Sequence, residues 1–129
     1  KELDLEERIH FLGYRSDVVE CINSFDFLVS SSLYEGLALN VIETFMNGKT
    51  MVATDIPGIK EIINDSNGIL VPVKDPKALA QAIEELAENP EKRASLATQA
   101  KRDYESKYSY PIFLDNYRNF YQFMRKGSK

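Results

Sequence analysis

The chain has 129 residues, 43% hydrophobic and 28% charged, a composition that is globular rather than disordered or fibrous. Twenty acids against sixteen lysines and arginines leave a net charge of −4, without the basic excess or stripe of a nucleic-acid binder. One cysteine, Cys21, and one histidine, His10, exclude an internal disulfide framework, a CxxC site, a zinc cluster and an evident Ser–His triad. No apolar run approaches the roughly 20 residues of a membrane span, and the charged start lacks a signal-peptide layout. The expectation is a soluble, cytoplasmic, acidic domain.

In chain order, Ile9-His10-Phe11-Leu12 reads as a brief strand ending at Gly13, with His10 structural within it. Asp17 is placed to cap a helix through Val18, Val19, Ile22 and Phe25, with Cys21 a buried, inert thiol on it. Phe27-Leu28-Val29 is a second strand, closed by three serines. A helix over about 39–47 presents Leu39, Ile42, Phe45 and Met46 on one face and stops at Gly48. Met51-Val52-Ala53 is a third strand, followed by a short helix at Glu61-Ile62-Ile63, a polar turn over 64–68, and a fourth strand at Ile69-Leu70-Val71.

The remainder is helical. Asp75-Pro76 starts a helix with a Leu79, Ile83, Leu86, Ala87 stripe, its acids Glu84, Glu85 and Glu88 facing solvent. Asn89-Pro90 starts another through Leu96, Ala100 and Tyr104, with Glu91 and the basic pair Lys101-Arg102 on its solvated face. A last helix over about 111–125 carries an aromatic stripe, and residues 126–129 read as a frayed tail. Strands alternating with helices, the strands nearly unbroken in apolarity, predict an α/β fold: a Rossmann-like parallel sheet with helices on both faces.

In such sheets ligands bind beyond the carboxyl ends of the strands. Those ends carry Gly13-Tyr14-Arg15, the loop 30–36, and Thr54-Asp55-Ile56-Pro57-Gly58. The second is polar, contains Gly36 and leads straight into a helix, whose free amides and dipole favour an anion. Glu35 and Glu43, with seven residues between them, could each accept hydrogen bonds from a vicinal diol. Amides for an anion beside two diol acceptors suit a sugar nucleotide. The competing reading of the same residues is a turn glycine with two solvated glutamates, and spacing alone leaves both open.

Residues 32–63, from Ser-Leu-Tyr-Glu-Gly-Leu-Ala-Leu-Asn-Val-Ile-Glu through Thr-Asp-Ile-Pro-Gly-Ile-Lys-Glu-Ile-Ile, resemble the donor-binding segment of the group-1 (GT4-type) retaining glycosyltransferases. Arg8-Ile9-His10-Phe11-Leu12-Gly13 is similar to the family's strand before its base-binding loop, and Asn67 through Leu79 to its next strand and helix. Nearly the whole chain is covered in the family's order. The resemblance implies the C-terminal half of a GT-B fold, a partial nucleotide-sugar-binding domain over residues 1–125. It also implies that the family's first strands, its phosphate-binding arginine and lysine, and its acceptor-binding N-terminal domain lie upstream of Arg8.

By the same resemblance Glu35 is the catalytic-site glutamate that meets the donor sugar near its anomeric carbon, and Glu43 accepts the ribose hydroxyls. The amides of Gly36, Leu37, Ala38 and Leu39 meet the sugar and diphosphate, while Gly13, Tyr14 and Arg15 border the base. Ala38 and Thr50 depart from the family's usual glycine or proline at these places. The implied reaction transfers a sugar with retention, assisted by the leaving phosphate, with no metal and no cofactor beyond the donor itself. Expected partners are a nucleotide-sugar donor and, through the N-terminal domain, a glycan or lipid-linked glycan acceptor; nucleic acid is not among them. The parent enzyme is expected in the cytoplasm, with peripheral membrane attachment left open. The isolated chain is expected to be inactive, and its unpaired strand edges to favour a homo-oligomer.

Two points stay open at this stage. Eight of the 14 aromatic residues lie within 104–123: the family reading turns part of that stripe toward the N-terminal domain, while the alternative packs all of it on this sheet. A non-catalytic nucleotide-sugar-binding or assembly module would keep the same fold. A signalling receiver domain would need acids after the first strand and a lysine near the fifth, and the chain offers no such set.

Overall fold

The structure is a computed structural model that describes residues 5–126. Its centre is a three-stranded parallel sheet of β1 (Leu28–Ser30), β2 (Met51–Thr54) and β3 (Ile69–Val71), in that order. Val29 pairs with Val52, and Ala53 with Leu70. All four residues of β2 are buried, as a central parallel strand covered on both faces requires.

Alternation along β2 divides the core. Met51 and Ala53 face Val41, Phe45, Ile59 and Ile63, whereas Val52 faces Val71, Ala82, Leu86 and Leu96. The first cluster is closed by α2 (Leu39–Met46) and the turns that follow β2; the second is closed by α3 (Pro76–Glu88). A further helix, α4 (Pro90–Asp103), supplies Ala100 to one cluster and Leu96 to the other. The doubly covered parallel sheet agrees with the α/β reading.

The proline-started helices begin where their sequence dictates. Asp75 Oδ1 accepts from the Ala78 amide at 2.9 Å, and Asn89 Oδ1 from the Lys92 amide at 2.9 Å. Below the sheet, Asn67 is fully buried and ties three segments together. Its Nδ2 donates to the Ile62 carbonyl at 3.1 Å and to Asp103 Oδ2 at 2.9 Å, and its Oδ1 accepts from the Asn64 amide at 2.8 Å. Lys107 completes the cluster by donating to Asp103 Oδ1 at 2.8 Å. Thr50, just before β2, uses its hydroxyl to donate to the Asn67 carbonyl at 2.9 Å.

Several expectations are corrected. Residues 9–12 form no strand: a strand exists only in a ladder, none of the described residues pairs with them, and Phe11 is 96% exposed. His10 is therefore exposed and outside any sheet. The helix after it, α1, spans Val18–Ser24, but Asp17 does not cap it; its carboxylate is held by the Arg15 guanidinium instead. Cys21 is half-buried, because only Ile22 of this helix enters the core. On α2 the buried residues are Val41, Thr44 and Phe45, while Leu39 is exposed; Thr44 tolerates burial by donating to the Asn40 carbonyl at 2.6 Å.

Residues 57–62 make successive turns anchored on the Ile56 and Ile59 carbonyls, not a helix at 61–63. Ala87 is exposed, leaving Ala82 and Leu86 as the buried residues of α3. Lys101 is not simply solvated: it donates to the Met46 carbonyl at 2.7 Å and lies over the Tyr104 ring. After α4 a π-helical turn (Tyr104–Tyr108) leads into α5 (Tyr110–Lys126). This last helix includes Lys126, so only residues 127–129 of the expected tail lie outside the described residues. The α5 aromatics do not pack on the sheet; Phe113, Tyr117, Phe120 and Tyr121 are 50–61% exposed and stack mainly on one another.

Candidate functional site

The carboxyl ends of β1 and β2 bring two loops together. Thr54, the last residue of β2, donates its hydroxyl to the Ser32 carbonyl in the loop after β1. Four residues on, Gly58 has φ +86°, and a Cβ there would lie 3.0 Å from the Gly36 carbonyl oxygen and 3.1 Å from that of Glu35. Only glycine fits both the dihedral and the approach. The loop carrying Glu35 and Gly36 is thus seated on main chain from the turn that follows the neighbouring strand.

Within that loop Ser32 Oγ donates to Glu35 Oε1 at 3.0 Å, and Ser30 Oγ lies 3.4 Å from Ser32 Oγ. Glu35 is half-buried, and its other carboxylate oxygen has no hydrogen-bond partner among the described residues. The loop then enters α2 with buried Ala38 at the N-cap, which has no side chain able to cap. Among the described residues, the amides of Gly36, Leu37 and Ala38 find no hydrogen-bond acceptor, whereas the Leu39 amide is taken by the Leu37 carbonyl at 2.9 Å. Three of the four expected amides therefore lack an acceptor, in the turn that leads into α2, and the fourth has one. Glu43 lies one turn into α2 and is exposed.

Gly13, Tyr14 and Arg15 stand apart from this constellation. Tyr14 is 97% exposed, Arg15 is engaged with Asp17, and none of the three hydrogen-bonds to the loop over 30–38. A concavity of about 300 Å³ lies across the carboxyl ends of all three strands, lined by Ser31, Leu33, Thr54, Pro72, Lys74 and Leu79 among others. Among the described residues no three His, Cys, Asp or Glu side chains gather as metal ligands would. Ser32, Thr54 and Gly58 lie in the strand-end segments named from the sequence, but the sequence assigned them no individual role. Their signal was a hydroxyl and a glycine at the ends of adjacent strands, which acquires meaning only once the strands pair.

The family described as glycosyl transferases group 1 matches residues 1–103. The chain belongs to this family. A Campylobacter jejuni relative, N,N'-diacetylbacillosaminyl-diphospho-undecaprenol alpha-1,3-N-acetylgalactosaminyltransferase, is 33% identical over 88% of the chain. The Anabaena protein Alr3699/HepE, solved in complex with UDP, superposes with a TM-score of 0.86 at 25% identity over 96% of the chain. The C-terminal domain of the Francisella tularensis group 1 family protein LpcC superposes with a TM-score of 0.70 at 25% identity over 79% of the chain. The group-1 chain described here therefore corresponds to the C-terminal, Rossmann-like domain of GT-B glycosyltransferases. It spans 30% of the Campylobacter enzyme and 34% of the Anabaena protein. No helix among the described residues is long and apolar enough to cross a membrane.

Proposed function

We propose that this chain is the donor-binding part of a retaining glycosyltransferase that moves a sugar from a nucleotide diphosphate to an acceptor hydroxyl. The observation that carries the reading is the turn leading into α2, where the amides of Gly36, Leu37 and Ala38 have no acceptor among the described residues and stand between Glu35 and Glu43. Family membership supports it, as do the complexes of the Anabaena protein with UDP and UDP-glucose.

In this reading the diphosphate meets the Gly36, Leu37 and Ala38 amides, whose dipoles and that of α2 receive its charge without a metal. Glu43 accepts the two ribose hydroxyls, and Glu35, aligned by the Ser32 hydroxyl, accepts from the donor sugar. The bond from the anomeric carbon to the diphosphate oxygen breaks as the acceptor oxygen bonds to the same face. The acceptor proton passes to the departing diphosphate. Amides that hold the developing negative charge favour this step because they are already oriented. Gly13, Tyr14 and Arg15 border the base. The acceptor, a glycan or lipid-linked glycan, is held by a further domain of a cytoplasmic enzyme, so the 129-residue chain alone transfers no sugar.

The test is calorimetric titration of the full-length enzyme with UDP and GDP, comparing wild type with Glu43→Ala. Two hydrogen bonds to a carboxylate predict a loss of roughly 10- to 100-fold in affinity for the preferred nucleotide. Unchanged affinity would instead favour a non-catalytic module, and sugar transfer by the isolated chain would overturn its assigned inactivity.

A further inference from the structure

The hydrogen bond from Thr54 to the Ser32 carbonyl and the packing of Gly58 on the Glu35 and Gly36 carbonyls hold the donor loop at both ends. Ser32 links the two, since its carbonyl is fixed by Thr54 while its hydroxyl donates to the Glu35 carboxylate at 3.0 Å. The Thr54 side chain is buried, with 4% of its surface exposed, so this hydroxyl is not a surface ornament. From this geometry we infer that Thr54 and Gly58 are positioning residues: they fix the Glu35 carboxylate and the α2 amides in register for the donor without touching it. The inference rests on the donor-site reading above.

The loop has few other supports. Glu35, Gly36 and Leu37 bury no large side chain, Leu37 being 65% exposed, and their amides bond to nothing among the described residues. Apart from buried Ala38 where the loop enters α2, the register of the loop is set by its contacts with Thr54 at the end of β2 and with Gly58 in the turn after it. A methyl at position 58 would push on two carbonyls at once, from a residue whose φ disfavours any side chain. The loop must then move by a few tenths of an ångström or more, and displacements toward 1 Å at a reacting centre cost up to about 100-fold in rate.

The experiment measures donor turnover in the full-length enzyme for Gly58→Ala, Thr54→Val and Thr54→Ser, beside Glu35→Gln. Melting temperature and affinity for the nucleoside monophosphate are followed in parallel. Gly58→Ala is expected to lower kcat/KM for the nucleotide sugar by roughly 10- to 100-fold. Thr54→Val, which keeps shape and loses the donor, should lower it about fivefold, and Thr54→Ser should restore it. Monophosphate affinity should stay within about twofold, because that ligand lacks the sugar and the second phosphate that the loop meets.

Should Gly58→Ala fail to fold, the valine and serine pair decides. Thr54→Val indistinguishable from Thr54→Ser in kcat/KM, in folded protein, overturns the inference, as does an equal loss of monophosphate affinity. A wild-type enzyme that neither binds nor turns over any nucleotide sugar overturns the donor-site reading and this inference with it. A wild type that is active and sensitive to Glu35→Gln, with both Thr54 variants at full activity, sinks the inference alone.

Discussion

Replacing Asn67 by alanine should destabilise the chain more than any conservative surface change, and the amount can be worked out from its partners. The side chain is fully buried and makes three hydrogen bonds: to the Ile62 carbonyl, to the Asp103 carboxylate, and from the Asn64 amide. Two are neutral, at about 1 kcal/mol each, and the one to the carboxylate is nearer 2 kcal/mol, giving about 4 kcal/mol in all. Against the roughly 5–15 kcal/mol that holds a domain of this kind folded, that is a large share. Thermal and urea unfolding followed by circular dichroism should show a Tm lowered by about 10–20 °C. The same substitution carries an acid signature. Burial alone would raise the Asp103 carboxyl, but hydrogen bonds from Lys107 and Asn67, with the Lys107 charge, outweigh it and hold the pKa below the ordinary aspartate value. A depressed folded pKa means that this stability is fully present above the unfolded value of about 4 and is lost as pH falls through the folded value. Asn67→Ala removes one lowering donor, so its acid unfolding should begin at higher pH than in wild type. A loss under about 1 kcal/mol, with an unmoved acid limb, would refute the reasoning.

Gly48 ends α2 at φ +65° with open space where a Cβ would sit, so Gly48→Ala should cost only the left-handed strain, about 1 kcal/mol by urea titration, and Gly48→Asn less. On α5, Phe113→Ser and Tyr117→Ser remove rings 4.6 Å apart that are half exposed and off the sheet. Each should change the chain's own unfolding free energy by less than about 1 kcal/mol, and a loss above about 2 kcal/mol would show that the stripe is part of this core.

The elements that sequence reading located well are those specified by neighbours in the chain. The run Met51-Val52-Ala53 is apolar on both faces because β2 is central, and Asp75 and Asn89 cap their helices by accepting from amides three places on. The elements misread depend on distant partners. Ile9-His10-Phe11-Leu12 has the pattern of a strand, but hydrophobic pattern cannot supply a ladder. Asp17 has the place of a cap, yet Arg15 two residues earlier offers a charged partner that backbone amides do not match. The candidate site divides the same way. Glu35, Gly36 and Glu43 were legible from a glycine at a helix start and a seven-residue spacing. Ser32, Thr54 and Gly58 were not, because their contacts join segments about 20 residues apart.

Under the proposed reading, charge placement favours a sugar nucleotide over a bare phosphate at this loop. Between Ser30 and Gly48 the only ionisable side chains with charge are Glu35 and Glu43, so the segment that offers amides to an anion is itself doubly negative. An inorganic phosphate at the α2 start would gain the amides and the helix dipole but face both carboxylates without compensation. A diphosphate esterified at both ends presents hydroxyls on each flank. Each carboxylate then accepts hydrogen bonds from a diol, and only the middle of the ligand carries charge toward the amides. Under the proposed reading the two glutamates therefore select as well as bind: their repulsion discourages ligands that lack a ribose or a sugar. Removing Glu43 should lower nucleotide affinity while raising that for free pyrophosphate, a reversal that a purely supporting residue would not produce.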